Sequence, residues 1–280
     1  MIHRTFRAAR RRHSDFLNRF FDDNGWWGLA WIRAYDLTSE VRYLDAAKRI
    51  FDNMVTAWDD TCDGGVWWNE DRQYKNAITN ELFLTLAARL HLRSPGGDGH
   101  HLDWALREWH WFSASGMIGQ HGLVNDGLTA GCENNGKPTY TYNQGVILGG
   151  LGDLYEITGD GAFLRQGESI ADAALRELTT PPTAERPGIL TEPGEARMAG
   201  RREDGSQFKG IFVRNLYDFY LHSRRTEYRD FIFRNARSIW ASRDAQNQFG
   251  VCWAGPFDTA DASRQSSALD VLNAAVALST

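Results

Sequence analysis

The sequence predicts an all-α fold built from helical hairpins that stack into a ring. Apolar residues recur at helical spacing along most of the chain, and no long stretch shows the alternation of a β-strand. Two kinds of helix follow one another in turn, one apolar on nearly every side and one with a charged face. The second helices of successive hairpins open about sixty residues apart, a period typical of stacked helical repeats, at Tyr43, Leu102, Phe163 and Tyr228.

Helices that are apolar on nearly every side are expected to be buried and to form the inner layer of the ring. We predict them at 26–37, 77–92, 142–157, 208–222 and 264–278. Helices with one charged face are expected to form the outer layer, at 3–20, 41–57, 100–114, 162–178 and 227–241.

Alternation of the two layers through short turns predicts a single α/α toroid, or barrel, that spans residues 1–280 as one domain. The sequence supplies about five hairpins, one fewer than a ring of the (α/α)6 type needs. The first outer helix, within "MIHRTFRAARRRHSDF", carries five arginines on its predicted solvent face and no apolar core of a signal peptide. The localisation is therefore open: cytoplasmic as the sequence is written, secreted if its start is truncated.

Composition excludes several classes of protein. No apolar run approaches the ~18 residues that a membrane helix needs, so no membrane partner is expected. A net charge of -5 and a pI near 5.9 argue against nucleic-acid binding. The three cysteines, Cys62, Cys132 and Cys252, form no CxxC or Cys/His cluster. We therefore predict neither a disulfide framework nor a zinc site, and we expect no metal or cofactor.

The aromatic content indicates a carbohydrate ligand. The chain holds 11 Trp, 15 Phe and 9 Tyr, and several tryptophans lie in loops beside Gly and Asn rather than inside helices. A single tryptophan is more often part of a core. As a set, loop tryptophans are typical of a sugar cleft, because a pyranose stacks its apolar face on an aromatic ring; these are Trp26, Trp27, Trp67, Trp68 and Trp253.

Alternating layers make every inner helix run in the same direction, so all inner N-termini are expected at one end of the ring. Polar and aromatic groups cluster in the loops that lead into these N-termini, which also carry partial positive charge. Such convergence is typical of a binding site. We predict substrate contacts from Trp26, Trp27, Trp67, Trp68, Asn76, Asn80, Glu81, Asp126, Tyr142, Asn143, Gln144, Lys209 and Arg214, although Lys209 or Arg214 also fits a charge paired within the core.

Two adjacent acids, Asp22 and Asp23, precede the first inner helix. They fit helix N-terminal acids, but Asn24 and Gly25 already offer cap and turn chemistry. The tryptophan pair that follows is expected to enclose the acids and raise the pKa of the less hydrated one. One carboxylic acid beside one carboxylate is the pair that glycoside cleavage requires. A second pair, at 59–60, is interpreted as loop and turn residues.

Four ordered motifs resemble glycoside hydrolase family 76: "FDDNGWWGLAWIRAYDLT", "GGVWWNEDRQYKNAITNELFLTLAARL", "TYTYNQGVILGGLGDLYEITGD" and "FKGIFVRNLYDFY". The family comprises bacterial α-1,6-mannanases and is similar to fungal cell-wall mannan transglycosidases. The resemblance runs from about residue 15 to the C-terminus. It implies an (α/α)6 barrel and endo-acting, retaining cleavage of α-1,6-linked mannan, with Asp22 as nucleophile and Asp23 as general acid/base.

The chain departs from the family pattern at its start, where the first outer and inner helices of the family are missing. A late gene start, a truncated chain or a homodimer that closes the open edge would each explain this. Three alternatives to a hydrolase follow. A mannan transglycosidase would share every motif, and a mannan-binding remnant without catalysis would fit the missing helices. An epimerase or unsaturated-glycoside hydrolase of the same shape would fit less well, because such epimerases use cavity histidines.

Overall fold

The computed structural model describes residues 1–94 and 99–279. Within these residues the named elements are all helical, and β-type pairing is limited to isolated bridges. The all-α prediction is therefore confirmed, while part of the connection predicted between 88 and 109 lies outside the described residues. Over the described ranges, no helix combines the length and apolar character that a membrane span requires. The chain divides into two compact units.

Unit 1 comprises Met1–Gly119 and Asn125–Lys137. Its helices are α1 (Ile2–Arg12), α2 (Phe21–Thr38), α3 (Val41–Val55), α4 (Ala77–Leu92) and α5 (His100–Ala114). Helix α2 packs against α3 and α4, and α4 packs against α5. Residues 77–90 of α4 are all buried, whereas α3 buries one face, as the inner and outer assignments predict.

Unit 2 comprises Gln120–Val124 and Pro138–Thr280. Its helices are α6 (Thr141–Thr158), α7 (Gly161–Glu177), the single turn α8 (Glu195–Met198), α9 (Phe208–Ser223), α10 (Thr226–Ala241) and α11 (Ala262–Ala277). Helix α6 packs against α7 and α9, and α11 packs against α9 and α10. A Cβ on Gly145 would lie 2.5 Å from the Phe212 Cα, so α6 and α9 meet backbone to backbone.

The structure corrects the boundaries of the first two predicted helices. Helix α1 ends at Arg12 rather than at residue 20, because Ser14, Asp15 and Phe16 all adopt positive φ angles that a right-handed helix excludes. Helix α2 begins at Phe21 rather than at residue 26. The acid pair therefore lies inside the first turn of α2 and not in a turn ahead of it.

The structure also corrects the interpretation of the cysteines. Cys62 and Cys132 form a disulfide across a separation of 70 residues, and Cys252 is a free thiol. The bond joins the loop that precedes α4 to the loop that follows α5. Sequence spacing gave no sign of it, because the two cysteines meet only after both loops have folded against α4.

We expect the disulfide to stabilise unit 1 substantially. Closing a loop of this length removes chain entropy from the unfolded state, which corresponds to about 4 kcal/mol. The double variant Cys62→Ser/Cys132→Ser should unfold at a clearly lower temperature than the wild type, and dithiothreitol should lower the wild-type midpoint to match it. Thermal denaturation with Cys252→Ser as the control checks this, since that variant should retain the wild-type midpoint and its sensitivity to reductant.

Candidate active site

The site is centred on the N-terminal turn of α2. Phe20 occupies the N-cap position without a side-chain cap, and the Phe21 N–H donates to the Trp68 carbonyl over 2.8 Å. The backbone N–H groups of Asp22 and Asp23 lower the pKa of the Asp22 carboxyl. The helix-start interpretation is thus partly right, because both acids lie in the first turn of α2.

Asn24 does not supply the cap that the sequence suggests. It is fully buried, and its side-chain oxygen accepts from the Asn18 N–H at 2.9 Å. Its amide donates to the Asn18 carbonyl at 3.0 Å and to Asn53 Oδ1 at 3.1 Å. Asn24 therefore fixes the segment before α2 onto α3, and Gly25 lies within the helix.

Asp22 is the less hydrated member of the acid pair. It is half-buried, and its Oδ1 has no hydrogen-bond partner among the described residues. Burial raises the pKa of Asp22 to about 6, and the neighbouring Asp23 charge adds to the rise. A hydrogen bond from the Trp68 side chain, which is the indole N–H, opposes that rise. Trp68 is therefore an aromatic residue in contact with the acid.

Asp23 has a different environment. Its side chain is exposed and accepts from Asn18 Nδ2 at 2.8 Å. Two carboxyls with adjacent backbones thus differ in hydration and in hydrogen-bond donors. Environments that separate two carboxyls in this way are typical of acid–base pairs in enzymes.

Two further aromatic rings pack against Trp68. The Trp68 ring lies 5.0 Å from the Phe20 ring and 6.2 Å, edge to face, from the Tyr74 ring. The backbone N–H of Trp68 also donates to the Tyr74 carbonyl over 2.8 Å. Trp68 and Tyr74 therefore form one aromatic surface beside Asp22, and we call it the Trp68–Tyr74 wall.

Polar groups surround the hydroxyl of Tyr74. That hydroxyl donates to Asp126 and accepts from Asn135 Nδ2 at 2.9 Å. The Lys137 ammonium lies 3.9 Å from the Asp126 carboxylate and 4.7 Å from the centre of the Tyr74 ring. Sequence reasoning missed Tyr74, Asn135 and Lys137, although Tyr74 lies within the quoted motif "GGVWWNEDRQYKNAITNELFLTLAARL".

Backbone hydrogen bonds hold these polar groups against α4. The Ala77 N–H donates to the Asp126 carbonyl over 2.9 Å, and the Leu128 N–H donates to the Lys75 carbonyl over 3.0 Å. The loop after α5 therefore crosses the N-terminus of α4. This crossing brings Asp126 close to Tyr74.

Glu81 lies one turn inside α4 and carries no visible partner. It is fully buried, and neither carboxyl oxygen has a hydrogen-bond partner within the described part of the chain. Burial, together with the charges of Asp126 and Glu108, raises the pKa of Glu81 well above its usual value. Burial therefore favours the neutral form of this side chain, which lies in the interior of the protein rather than at its surface.

Several predicted contacts in unit 1 are used within the protein. Trp27 stacks on Trp31 at 5.4 Å and packs against Phe16 at 5.5 Å. Asn76 caps α4 by accepting from the Thr79 N–H, and Asn80 is fully buried and bonded to both backbone groups of Val66. Trp26 is half-buried in α2.

The second acid pair belongs to the structural framework of the loop before α4. Asp59 accepts from the Trp67 indole at 2.6 Å and from Lys75 Nζ at 2.9 Å. Although burial opposes them, these donors hold the pKa of Asp59 well below its usual range. Asp60 is exposed. The interpretation of this pair as loop residues agrees with these contacts.

The predicted contacts in unit 2 are largely paired within that unit. Tyr142 stacks on Phe208 with ring centres 3.8 Å apart. Gln144 bonds to both backbone groups of Val124, and exposed Arg214 pairs with Asp270 at 3.2 Å.

Two buried polar residues of unit 2 contrast with each other. Lys209 pairs with Glu195 and donates to the Val251 carbonyl at 2.7 Å, so its charge is satisfied within the unit. Asn143 is fully buried, and neither polar atom of its amide has a hydrogen-bond partner within the described residues. Across residues 1–94 and 99–279, no group of three or more His, Cys, Asp or Glu residues has the arrangement of a metal site.

Comparison with known proteins identifies the family. Residues 6–280 match the model of glycosyl hydrolase family 76, so the chain belongs to this family. A putative mannan endo-1,6-alpha-mannosidase of Schizosaccharomyces pombe is 30% identical over 210 residues, which are 70% of this chain and 46% of that protein. A mannan endo-1,6-alpha-mannosidase of Saccharomyces cerevisiae is 26% identical over 277 residues, which are 90% of this chain and 59% of the relative. The chain spans about half the length of the curated relatives it matches.

Solved structures share the fold. The alpha-1,6-mannanase GH76A of Salegentibacter sp. HEL1_6 superimposes with a TM-score of 0.83 at 26% identity, over 96% of this chain and 79% of that one. A second structure of that enzyme is an inactive variant with two consecutive aspartates replaced by asparagine, in complex with alpha-1,6-mannotriose. A Listeria innocua protein gives a TM-score of 0.84 at 25% identity, over 99% of this chain and 78% of that one. The helices thus match the helical toroid fold of family 76.

Because the pKa of Asp22 is raised in the folded protein, replacing its carboxyl with a neutral amide should stabilise the protein in a pH-dependent way. A carboxyl whose pKa rises on folding destabilises the folded state once it ionises, so wild-type stability should fall as pH rises from about 4 to about 6. Asp22→Asn should therefore be more stable than the wild type above pH 6, by up to about 3 kcal/mol, and equal to it below pH 4.

Urea denaturation of both proteins across this pH range measures the difference. Asp23→Asn is the matched control, because it removes an adjacent but exposed carboxylate and should change the midpoint little. Equal stability of Asp22→Asn and the wild type at pH 7.5 would contradict the burial argument.

Proposed function

We propose that the chain hydrolyses α-1,6-mannosidic bonds in mannan by double displacement, with Asp22 and Asp23 as the catalytic pair. The observation that carries this proposal is the pair itself: two consecutive carboxyls, one half-buried and one exposed, beside an aromatic wall. Two consecutive aspartates are also the residues replaced in the inactive mannanase of Salegentibacter. The other consecutive pair of this chain is held in a structural network through Asp59.

Asp22 is suited to the role of nucleophile. With a pKa of about 6 it is mostly ionised at neutral pH, and backbone N–H groups and Trp68 fix its orientation. In the first step its carboxylate attacks C1 of the mannosyl unit while the bond from C1 to the leaving oxygen breaks. The product of this step is a β-linked mannosyl ester of Asp22.

Asp23 is suited to the role of acid and base because it faces solvent, from which the second substrate, water, arrives. In the first step it gives a proton to the leaving oxygen. In the second step it takes a proton from water, whose oxygen attacks C1. The bond from C1 to the Asp22 ester oxygen breaks, so the mannosyl product leaves with the α configuration retained and the Asp22 carboxylate is restored.

The Trp68–Tyr74 wall offers the apolar surface on which mannose rings stack. Asp126, Asn135 and Lys137 lie beyond it and offer acceptors and donors to sugar hydroxyls. We propose these residues as substrate contacts in place of Trp67, Asn76 and Asn80, whose polar groups bond within the protein.

Hydrolysis of an aryl α-1,6-mannobioside tests the proposal. The wild type should turn the substrate over, and Asp22→Asn and Asp23→Asn should each lose about a hundredfold or more in kcat, the loss expected for removal of a nucleophile or an acid–base group. Asp60→Asn, in the other Asp-Asp pair, should retain wild-type kcat. Mannan binding without turnover by the wild type would contradict the proposal and favour a binding protein.

Azide added to alanine variants of the pair separates the two roles. Without its nucleophile the enzyme should let azide attack C1 directly, so Asp22→Ala should yield a β-mannosyl azide. Asp23→Ala retains the ester intermediate and should yield the α-azide. Exchanged products, resolved by NMR of the anomeric proton, would exchange the roles of the two residues.

A further inference from the structure

Unit 2 contains a cavity that the proposed reaction does not use. It measures about 660 Å³ and lies between α10 and the segment at 186–189. This volume falls within the range of small-molecule sites, about 300–1,000 Å³. Its lining consists of Arg186, Pro187, Ile189, Asp230, Phe233, Arg234, Arg237, Ser238 and Ala241.

The charge of this lining is strongly positive. Three guanidinium groups, from Arg186, Arg234 and Arg237, accompany a single carboxylate, that of Asp230. Asp230 also pairs with Arg229 outside the cavity at 3.1 Å. Because the chain as a whole has a net charge of -5, this concentration of cations does not follow from its composition.

Two of the cations form no ion pair with the described residues. Arg234 and Arg237 are exposed, and neither guanidinium forms a hydrogen bond or ion pair with the described residues. They are three positions apart on α10, a spacing at which like charges repel each other. An anion between them would remove this repulsion.

The third cation is held in a fixed position. Arg186 Nη1 donates to Ser242 Oγ at 2.5 Å, to the Ser238 carbonyl at 3.3 Å and to Ser238 Oγ at 3.4 Å. Only one of its nitrogens is engaged in these bonds. The remaining N–H groups of a guanidinium fixed in this way are available to a ligand without further ordering of the side chain.

A glycine makes room for Arg234. Gly188 has a φ of +69°, and a Cβ built on it would lie 2.6 Å from Arg234 Nη1. The guanidinium of Arg234 therefore rests directly on the backbone of the segment that carries Arg186. Any side chain at residue 188 would displace it.

Apart from Ser238, the rest of the lining is apolar. Pro187, Ile189 and Ala241 contribute aliphatic surface, and half-buried Phe233 contributes an aromatic ring. An inorganic anion would leave this surface unused. A ligand that joins an anionic group to an apolar or pyranose face would use both parts of the cavity.

We propose that this cavity binds a sugar phosphate, in which the phosphate monoester contacts the three arginines and the sugar ring packs on Phe233. The planar donor fork of arginine matches phosphate oxygens in pairs. A phosphate monoester carries about -1.5 to -2 charges at neutral pH, which suits three guanidiniums opposed by one carboxylate. A carboxylate would supply roughly half of that charge.

Isothermal titration calorimetry with mannose 6-phosphate, inorganic phosphate and mannose tests the proposal. Mannose 6-phosphate should bind the wild type at least tenfold more tightly than inorganic phosphate does. Excess α-1,6-mannotriose should not displace it, since the two acids of the reaction lie in unit 1. No binding of mannose 6-phosphate, or its displacement by mannotriose, would overturn the proposal.

Variants locate the site. The double variant Arg234→Ala/Arg237→Ala should bind mannose 6-phosphate at least tenfold more weakly than the wild type. Phe233→Ala should also bind mannose 6-phosphate more weakly, but its affinity for inorganic phosphate should not change. The control Arg197→Ala/Arg202→Ala removes two other exposed charges of unit 2 and should leave affinity unchanged. An equal loss of affinity for mannose 6-phosphate in both double variants would mean that net charge alone attracts the anion. Equal wild-type affinity for inorganic phosphate and mannose 6-phosphate would exclude the sugar contact.

Discussion

The proposed chemistry depends on keeping the Asp22 carboxyl largely out of water at the first turn of α2. Burial raises the pKa of this carboxyl; the donors from the helix N-terminus and from Trp68 oppose that rise, and the resulting pKa is about 6. Asp23, one residue further on, is exposed. The proposed division of labour thus comes from hydration rather than from residue type, and it requires α2 to begin at Phe21.

Most of unit 1 serves to hold that turn and its surroundings in place. Asn24 ties the segment before α2 to α3, and Lys75 ties the loop before α4 together through Asp59 and three backbone carbonyls. The disulfide from Cys62 to Cys132 then joins this loop to the one that carries Asp126. Each tie is buried or covalent, so the polar groups near Tyr74 are ordered before any ligand arrives, which lowers the entropy cost of binding.

Sequence periodicity was enough to predict the helices but not the details of the site. The bounds 77–92 and 100–114 agree with α4 and α5 because these helices follow burial patterns along their whole length. The start of α2 was wrong because Asn-Gly is typical of turns, whereas the Asn24 side chain is held by distant partners. Asn80, Gln144 and Lys209 were predicted to bind substrate, but sequence cannot distinguish a buried polar group that bonds to backbone from one that faces a cleft. Tyr74, Asn135 and Lys137 lie in loops without periodicity, so only the fold brings them together.

The most direct test of the account is the pH dependence of kcat/KM on an aryl α-1,6-mannobioside, for the wild type and for Trp68→Phe. The wild type should show an acidic limb near pH 6, because Asp22 must be ionised to attack. Trp68→Phe removes the indole N–H, whose hydrogen bond lowers the pKa of Asp22, so the acidic limb should move to higher pH. The control Trp67→Phe should leave the acidic limb in place, because the Trp67 indole bonds to Asp59 instead. An acidic limb near pH 4, or one that Trp68→Phe does not move, would contradict the assignment of Asp22 as the half-buried nucleophile.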